Sequence, residues 1–405
     1  MMKLSAIAIL VLGACASDGM DGANGANGTD GTNGTNGTNG TNGTNGTNGT
    51  DLGPKAPPGV YALANQTAGN QVATLLRGEN GNLTRDNEFA TGGAGTSAGL
   101  GSQGALVWDK ATQRFFAVNA GDNTISMLAI DQDGVLTKLA SIASGGTKPI
   151  SIAVHGDAVY VLNYGNLAAT PVAGNITGFK IQGDALVPIP SSTQPLSGTN
   201  DVHPTDLVFT PDGKFLVVAE RFGATSAHVG KLETYAVVND VAQPGNFQVS
   251  AGNEPFAIAF SPEGYMLVAE VGNEMADGSS VSSYSISATG VLTPITSALG
   301  THQGAACWIV SAGGFAYVAN TATSTITGIT VSTTGALALH DTSGVTATSG
   351  MTPIDLAVSP DRGYLYSLAA GSHTINIYSI QSDGSLAAQP ALGGLTAGTS
   401  GLVAR

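Results

Sequence analysis

Charge is scarce in this chain. Of its 405 residues only 10% are Asp, Glu, Lys or Arg, and 14 basic residues stand against 28 acidic ones, for a formal net charge of −14. Ordinary soluble domains carry about 25% charged residues, so a helical bundle or coiled coil, whose wet faces need Glu, Lys and Arg, is excluded. Ser, Thr, Asn and Gly must wet the surface instead. The basic residues are too few and too dispersed to follow a phosphate backbone, which removes nucleic acid as a partner. The 2 cysteines cannot frame a disulfide-stapled fold. Long apolar runs are missing as well: the stretch from Leu4 to Leu12 is about half the twenty residues that a membrane-spanning helix needs. The chain also lacks a phosphate-binding glycine loop, a nucleophile elbow and any Cys/His zinc spacing.

The short apolar run after Lys3 has the dimensions of a signal-peptide core. It ends in Leu12-Gly13-Ala14-Cys15, which resembles the bacterial lipobox, where cleavage before the cysteine leaves a thiol that is joined to diacylglycerol. The resemblance implies a signal peptide over 1–14, lipidation of Cys15, and a membrane partner through that N-terminal anchor. Ala16 follows the cysteine without an acidic residue, which is similar to lipoproteins of the outer membrane or cell surface. Residues 15–56 then form a stalk or linker: 11 glycines recur at every third position from Gly19 to Gly49, mostly in Gly-Thr-Asn triplets. Glycine at that period is the collagen requirement, but proline, which would preset φ, is absent from the tract. Two readings stay open, a trimeric collagen-like rod and a flexible polar spacer. Either lifts the folded part from a membrane, by on the order of 100 Å if extended at about 3.1 Å per residue.

From Pro57 to Arg405 one pattern recurs seven times, at about fifty residues per copy. It consists of an apolar run, a tight turn, a second run ending in Asn or Glu, a polar loop, and a third alternating run. Asp206-Leu-Val-Phe-Thr210, Phe215-Leu-Val-Val-Ala-Glu220 and Lys231-Leu-Glu-Thr-Tyr235 make one copy, and Cys307-Trp-Ile-Val-Ser311, Asn320 and Ile326-Thr-Gly-Ile329 belong to another. The first copy, with Val60 to Asn65 and Gln71 to Leu75, lacks its leading run, and Gly401-Leu402-Val403-Ala404 supplies one at the far end. The spacing predicts an all-β domain over 57–405, a seven-bladed β-propeller closed by the C-terminal strand.

The turns Pro211-Asp212-Gly213, Pro262-Glu263-Gly264 and Pro360-Asp361, the strand end Tyr317-Val-Ala-Asn320 and the ring-closing tail together resemble the lactonase-type seven-bladed propellers. That family includes bacterial 6-phosphogluconolactonase and carboxymuconate-lactonising relatives. The resemblance implies ring-opening or ring-forming chemistry on lactones.

Strand order places the residues before each leading strand and those ending each second strand on one face of the disc, near the central channel. That set includes His203, Glu220, Arg221, Glu270, His302, Asn65, Asn119, Asn163 and Asn320. Asn is a turn residue whose side chain bonds nearby backbone. Glu is a poor turn former, so Glu220 and Glu270 at equivalent places on adjacent blades stand out, with a rim carboxylate paired to Arg221 as the alternative. The candidate catalytic set is therefore His203, Glu220, Arg221 and Glu270: one of the acidic groups or His203 as general base toward water, Arg221 steadying a substrate carboxylate or an oxyanion. Asn320 is followed by Thr321 and Ala322 where related lactonases often carry arginine. No organic cofactor is implied, and carboxylates and amides around a channel mouth could hold Ca²⁺. Non-catalytic binding, adhesion or scaffolding at the tip of a stalk is the alternative function, with a surface ligand in place of a lactone. Cys307 and Trp108 read as core.

Overall fold

The computed structural model describes residues 57–166, 171–198, 202–221, 229–272 and 277–405. Cys15, the signal segment and the Gly-Thr-Asn tract lie outside these residues. Among the described residues the strands assemble into seven antiparallel sheets of four or five strands. Each sheet is one blade, and in all but the first its strands follow chain order from the inside outward.

Burial explains the sequence pattern of each blade. Second strands are apolar at consecutive positions, Phe115 to Val118 within Arg114–Asn119 and Phe215 to Ala219 within Phe215–Glu220, because neighbouring blades cover both faces. Outermost strands such as Leu83–Ala90 and Leu136–Ala143 are mostly open to solvent and carry Thr, Arg, Asp, Asn, Lys and Ser. The innermost strands, Leu106–Asp109, Pro149–His155, Pro204–Phe209, Pro255–Phe260, Ala306–Ala312, Pro353–Val358 and Leu402–Ala404, each touch the next in turn and so surround one axis.

Closure is made by the tail. Leu402–Ala404 pairs antiparallel with Gly59–Leu63, with Val60 opposite Ala404 and Tyr61 opposite Val403, and Leu402 and Val403 are fully buried. The first blade is thereby completed with a strand from the other end of the chain, as the missing leading run requires. The segment that enters blade two also reaches other blades across the ring. Gln103, fully buried, donates its backbone N–H to the Thr205 carbonyl of blade four at 2.8 Å, and its side-chain amide to the carbonyls of Ile258 in blade five and Ile309 in blade six.

Candidate functional site

Five consecutive blades open their innermost strand with the same backbone device. Lys148, His203, Glu254, Ala305 and Thr352 each stand immediately before that strand in the left-handed region, with φ of 57, 43, 56, 56 and 56°. Non-glycine residues seldom accept this conformation, which costs on the order of 1 kcal/mol. The carbonyl of each accepts a hydrogen bond from the residue just past the second strand: Tyr164, Arg221, Val271, Thr321 and Ala370, at 2.8 to 3.1 Å. A bulge follows in every case, between Pro149 and Ser151, Pro204 and Asp206, Pro255 and Ala257, Ala306 and Trp308, and Pro353 and Asp355. The ladder thus ends the same way at one end of each blade, and the bulge re-aims the side chains there.

In blades three, four and five this device brings five polar side chains together. Tyr164 Oη lies 2.7 Å from His203 Nδ1, and the two rings meet edge to face at 5.8 Å and 87°. Lys148 Nζ sits 4.3 Å from the centre of the Tyr164 ring, a cation–π contact. Arg221 Nε donates to Glu254 Oε2 at 2.7 Å, across the junction of blades four and five. The Glu254 side chain is 1% exposed and that of Arg221 13%. Burial lowers the Lys148 pKa. Burial also raises the Tyr164 pKa, with the Arg221 charge pulling it partly back. The result is a half-buried patch at the channel mouth with a tyrosine-held imidazole, a carboxylate-held guanidinium and a second cation.

Of the four candidate residues, His203 and Arg221 lie in this patch. Glu220 and Glu270 are turned the other way, because successive residues of a strand face opposite sides. Glu220 accepts from the Ser197 backbone N–H at 2.9 Å and from the Ser197 hydroxyl. Glu270 accepts from the hydroxyls of Ser250 at 3.2 Å and Ser280 at 2.5 Å and from the Gly252 N–H at 2.9 Å. Both carboxylates are fully buried and staple the loop that enters their blade to its second and third strands. Burial raises the pKa of both, against the hydrogen bonds that favour the charged form.

The asparagines at the equivalent places act alike. Asn163 Nδ2 donates to the Ser144 carbonyl and to Asn175, Asn119 Nδ2 to Thr124 and Ser126, and Asn320 Nδ2 to Thr325 and Thr327. His302 is half exposed, 3.7 Å from Asp277. Cys307 is buried and makes no disulfide, and Trp108 packs against Phe115 at 4.6 Å. Among the described residues no three His, Cys, Asp or Glu side chains converge to hold a metal ion.

Tyr164, Lys148 and Glu254 were not among the candidates. The signal was present: Lys148-Pro149 and Glu254-Pro255 open their strands as His203-Pro204 does. Lys148 and Glu254 therefore occupy the place for which His203 was chosen.

A closed disc of seven sheets of four or five strands, with a polar patch where the innermost strands of three blades begin, defines a seven-bladed β-propeller with a candidate site at one end of those strands. Family comparison agrees: residues 82–391 match the family described as "Lactonase, 7-bladed beta-propeller", and the chain belongs to that family. No curated protein matches it significantly in sequence. A solved structure from Bacteroides fragilis, provisionally named a 6-phosphogluconolactonase, is similar with a TM-score of 0.65 and 16% identity, over 88% of this chain and 100% of the other. The periplasmic gluconolactonase PpgL of Pseudomonas aeruginosa is similar with a TM-score of 0.61 and 16% identity, over 85% and 99%. At such identities the likeness shows the fold.

Proposed function

We propose that this propeller hydrolyses a small lactone at the mouth of its central channel, outside the cytoplasm and tethered through Cys15. The observation that carries the chemistry is the pairing of His203 with Tyr164 beside Arg221 with Glu254. Hydrolysis needs a base for water and positive charge where the carbonyl oxygen becomes an oxyanion. In the tautomer that gives its Nδ1 proton to Tyr164, His203 presents the Nε2 lone pair to a water molecule. As water attacks the carbonyl carbon, its proton passes to Nε2 and negative charge collects on the carbonyl oxygen. Arg221, fixed by Glu254, steadies that charge, and Lys148 adds to the field. The ring C–O bond then breaks, and the leaving alkoxide takes the proton back from His203.

The family to which the chain belongs supports lactone chemistry, and the periplasmic gluconolactonase from Pseudomonas aeruginosa sets a precedent for such a propeller beyond the cytoplasm. Salt-bridging of Arg221 to Glu254 favours a non-phosphorylated substrate, since the guanidinium is already engaged by one carboxylate. The test is a panel of γ- and δ-lactones offered to wild type, Arg221→Ala and His203→Gln. Turnover by wild type and its loss in both variants is the expected result. Absence of turnover across the panel overturns the reading and leaves non-catalytic surface binding in its place. Cys15→Ser, followed by labelling with a radioactive fatty acid, tests the tether, and light scattering of the delipidated protein distinguishes a trimer held by the stalk from a monomer.

A further inference from the structure

At the staple position described above, the second strand's last side chain reaches across to the third strand. In blades two and six the group it meets is a hydroxyl, Ser126 and Thr327, each at 2.8 Å from the asparagine amide. Blade four has an acid there. Glu220 lies opposite Lys231, and Glu233, two residues further on, lies opposite Val218, so the two carboxyl groups share one face of the sheet. Both residues are fully buried. Gly245 packs so closely on Glu233 that any side chain at 245 would collide with the carboxyl group.

Among the described residues, one ammonium, that of Lys231, acts on both carboxyl groups. No donor among the described residues meets either oxygen of Glu233 at hydrogen-bonding geometry. The nearby Tyr235 hydroxyl gives its proton to the Pro195 carbonyl at 2.9 Å. Lys231 reaches the Ser197 hydroxyl at 3.3 Å and packs over Phe247, and it and Tyr235 are the other titratable groups acting on the pair. Two adjacent buried carboxyl groups with one ammonium nearby cannot both ionise. A single proton, carried by Glu233 and donated to Glu220, removes one of the two charges and joins the pair.

We propose that Glu233 is a positioning residue: it shares one proton with Glu220, and the joined pair fixes the strand end that holds Arg221 and His203 in register. Glu220 is the chain neighbour of Arg221 and lies opposite Pro204, and the Arg221 N–H is bonded to the His203 carbonyl at 3.1 Å. Repulsion within the pair, once the proton is lost, is thus one peptide away from both groups of the patch. Burial first and the Glu220 charge second push the Glu233 carboxyl up to about 9. The inference rests on the lactonase reading only for the reaction that the patch performs.

The test needs no turnover. Glu233→Gln keeps a donor toward Glu220 and cannot ionise, and Glu233→Ser restores the type of residue that other blades carry. With ¹³C-labelled histidine, the His203 ring signal of wild type is expected to show a second inflection near pH 9, absent in both variants. The melting temperature of wild type relative to Glu233→Gln is expected to fall from pH 6 to about 9 and then level off, because the folded state holds a proton that the unfolded chain has already released. If the His203 titration curves of wild type and Glu233→Gln superimpose through this range, or if the melting temperatures run parallel, the shared proton is overturned. Should the variant lose its fold, Glu233→Ser decides by the same readings. In hydrolysis, wild type is expected to lose about tenfold in kcat/KM between pH 7.5 and 10 that Glu233→Gln retains. No hydrolysis in either protein overturns the lactonase reading, while the His203 signal still decides this one.

Discussion

Arg221 of blade four stands 2.7 Å from Glu254 of blade five, and the carboxylate in that pair is 1% exposed. Such a pair is strong only while both members are present, since a buried charge without its partner costs about 3 kcal/mol or more. Glu254→Ala should therefore lower the urea unfolding free energy by about that amount and reduce lactone turnover as Arg221 loses its fixed direction. Arg221→Ala should reduce kcat on the order of 100-fold, with a smaller change in KM, if the guanidinium meets charge that develops on the carbonyl oxygen. An equal rise in KM with kcat untouched would instead mark Arg221 as a binding group.

Glu270 separates a staple from a catalyst. Its oxygens accept from Ser250, Gly252 and Ser280 within its own blade. Glu270→Gln places an amide N–H₂ against donors, and the expected loss is about 1 to 3 kcal/mol in chemical denaturation. Turnover per folded molecule should change by less than about threefold, well below the loss for an essential base. A hundredfold loss in a fully folded variant would return Glu270 to the catalytic set.

Ring closure depends on three residues of tail strand. Leu402 and Val403 are fully buried and bridge the first and last copies of the repeat. Leu402→Ala should cost about 2 to 5 kcal/mol. Removal of residues 402–405 should lower the melting temperature far more than an equal truncation of an exposed outer strand, and circular dichroism with thermal ramping measures both.

Asp206 should make the stability of the fold depend on pH. From the innermost strand of blade four it accepts from the N–H groups of Leu207 and Ile258, each at 2.8 Å. Burial pushes its carboxyl up to about 8, despite those bonds. Folded protein thus keeps a proton that the unfolded chain releases near pH 4. Stability from this group is full in acid, declines as pH rises from about 4 to 8, and is level above. Asp206→Asn should flatten the melting temperature between pH 5 and 8, at a cost of about 1 to 3 kcal/mol for the hydrogen bond it spoils. Parallel slopes in the two proteins would count against this assignment.

Architecture was open to reading because it is repeated. Six apolar triplets of strands, a first copy without its leading run and a stray Gly401-to-Ala404 segment leave few ways to bury every strand edge, and the ring is one that does. His203 and Arg221 could be placed from the same repeat. The direction of neighbouring side chains could not. Glu220 and Arg221 are consecutive, and a bulge two residues after His203 settles which of them faces the patch. Lys148-Pro149 and Glu254-Pro255 share with His203-Pro204 the place before an innermost strand, but an acid or a lysine before proline carries no mark of chemistry by itself; their shared left-handed backbone makes the kinship plain. Glu233 reads as one more polar residue in an alternating strand until the register sets it beside Glu220.

The Gln103 bridge makes one residue of blade two a common partner of three other blades. Its backbone N–H and side-chain amide reach carbonyls of blades four, five and six. A change at this single position is therefore felt on the far side of the disc, where the innermost strands of blades five and six would lose a donor that they share.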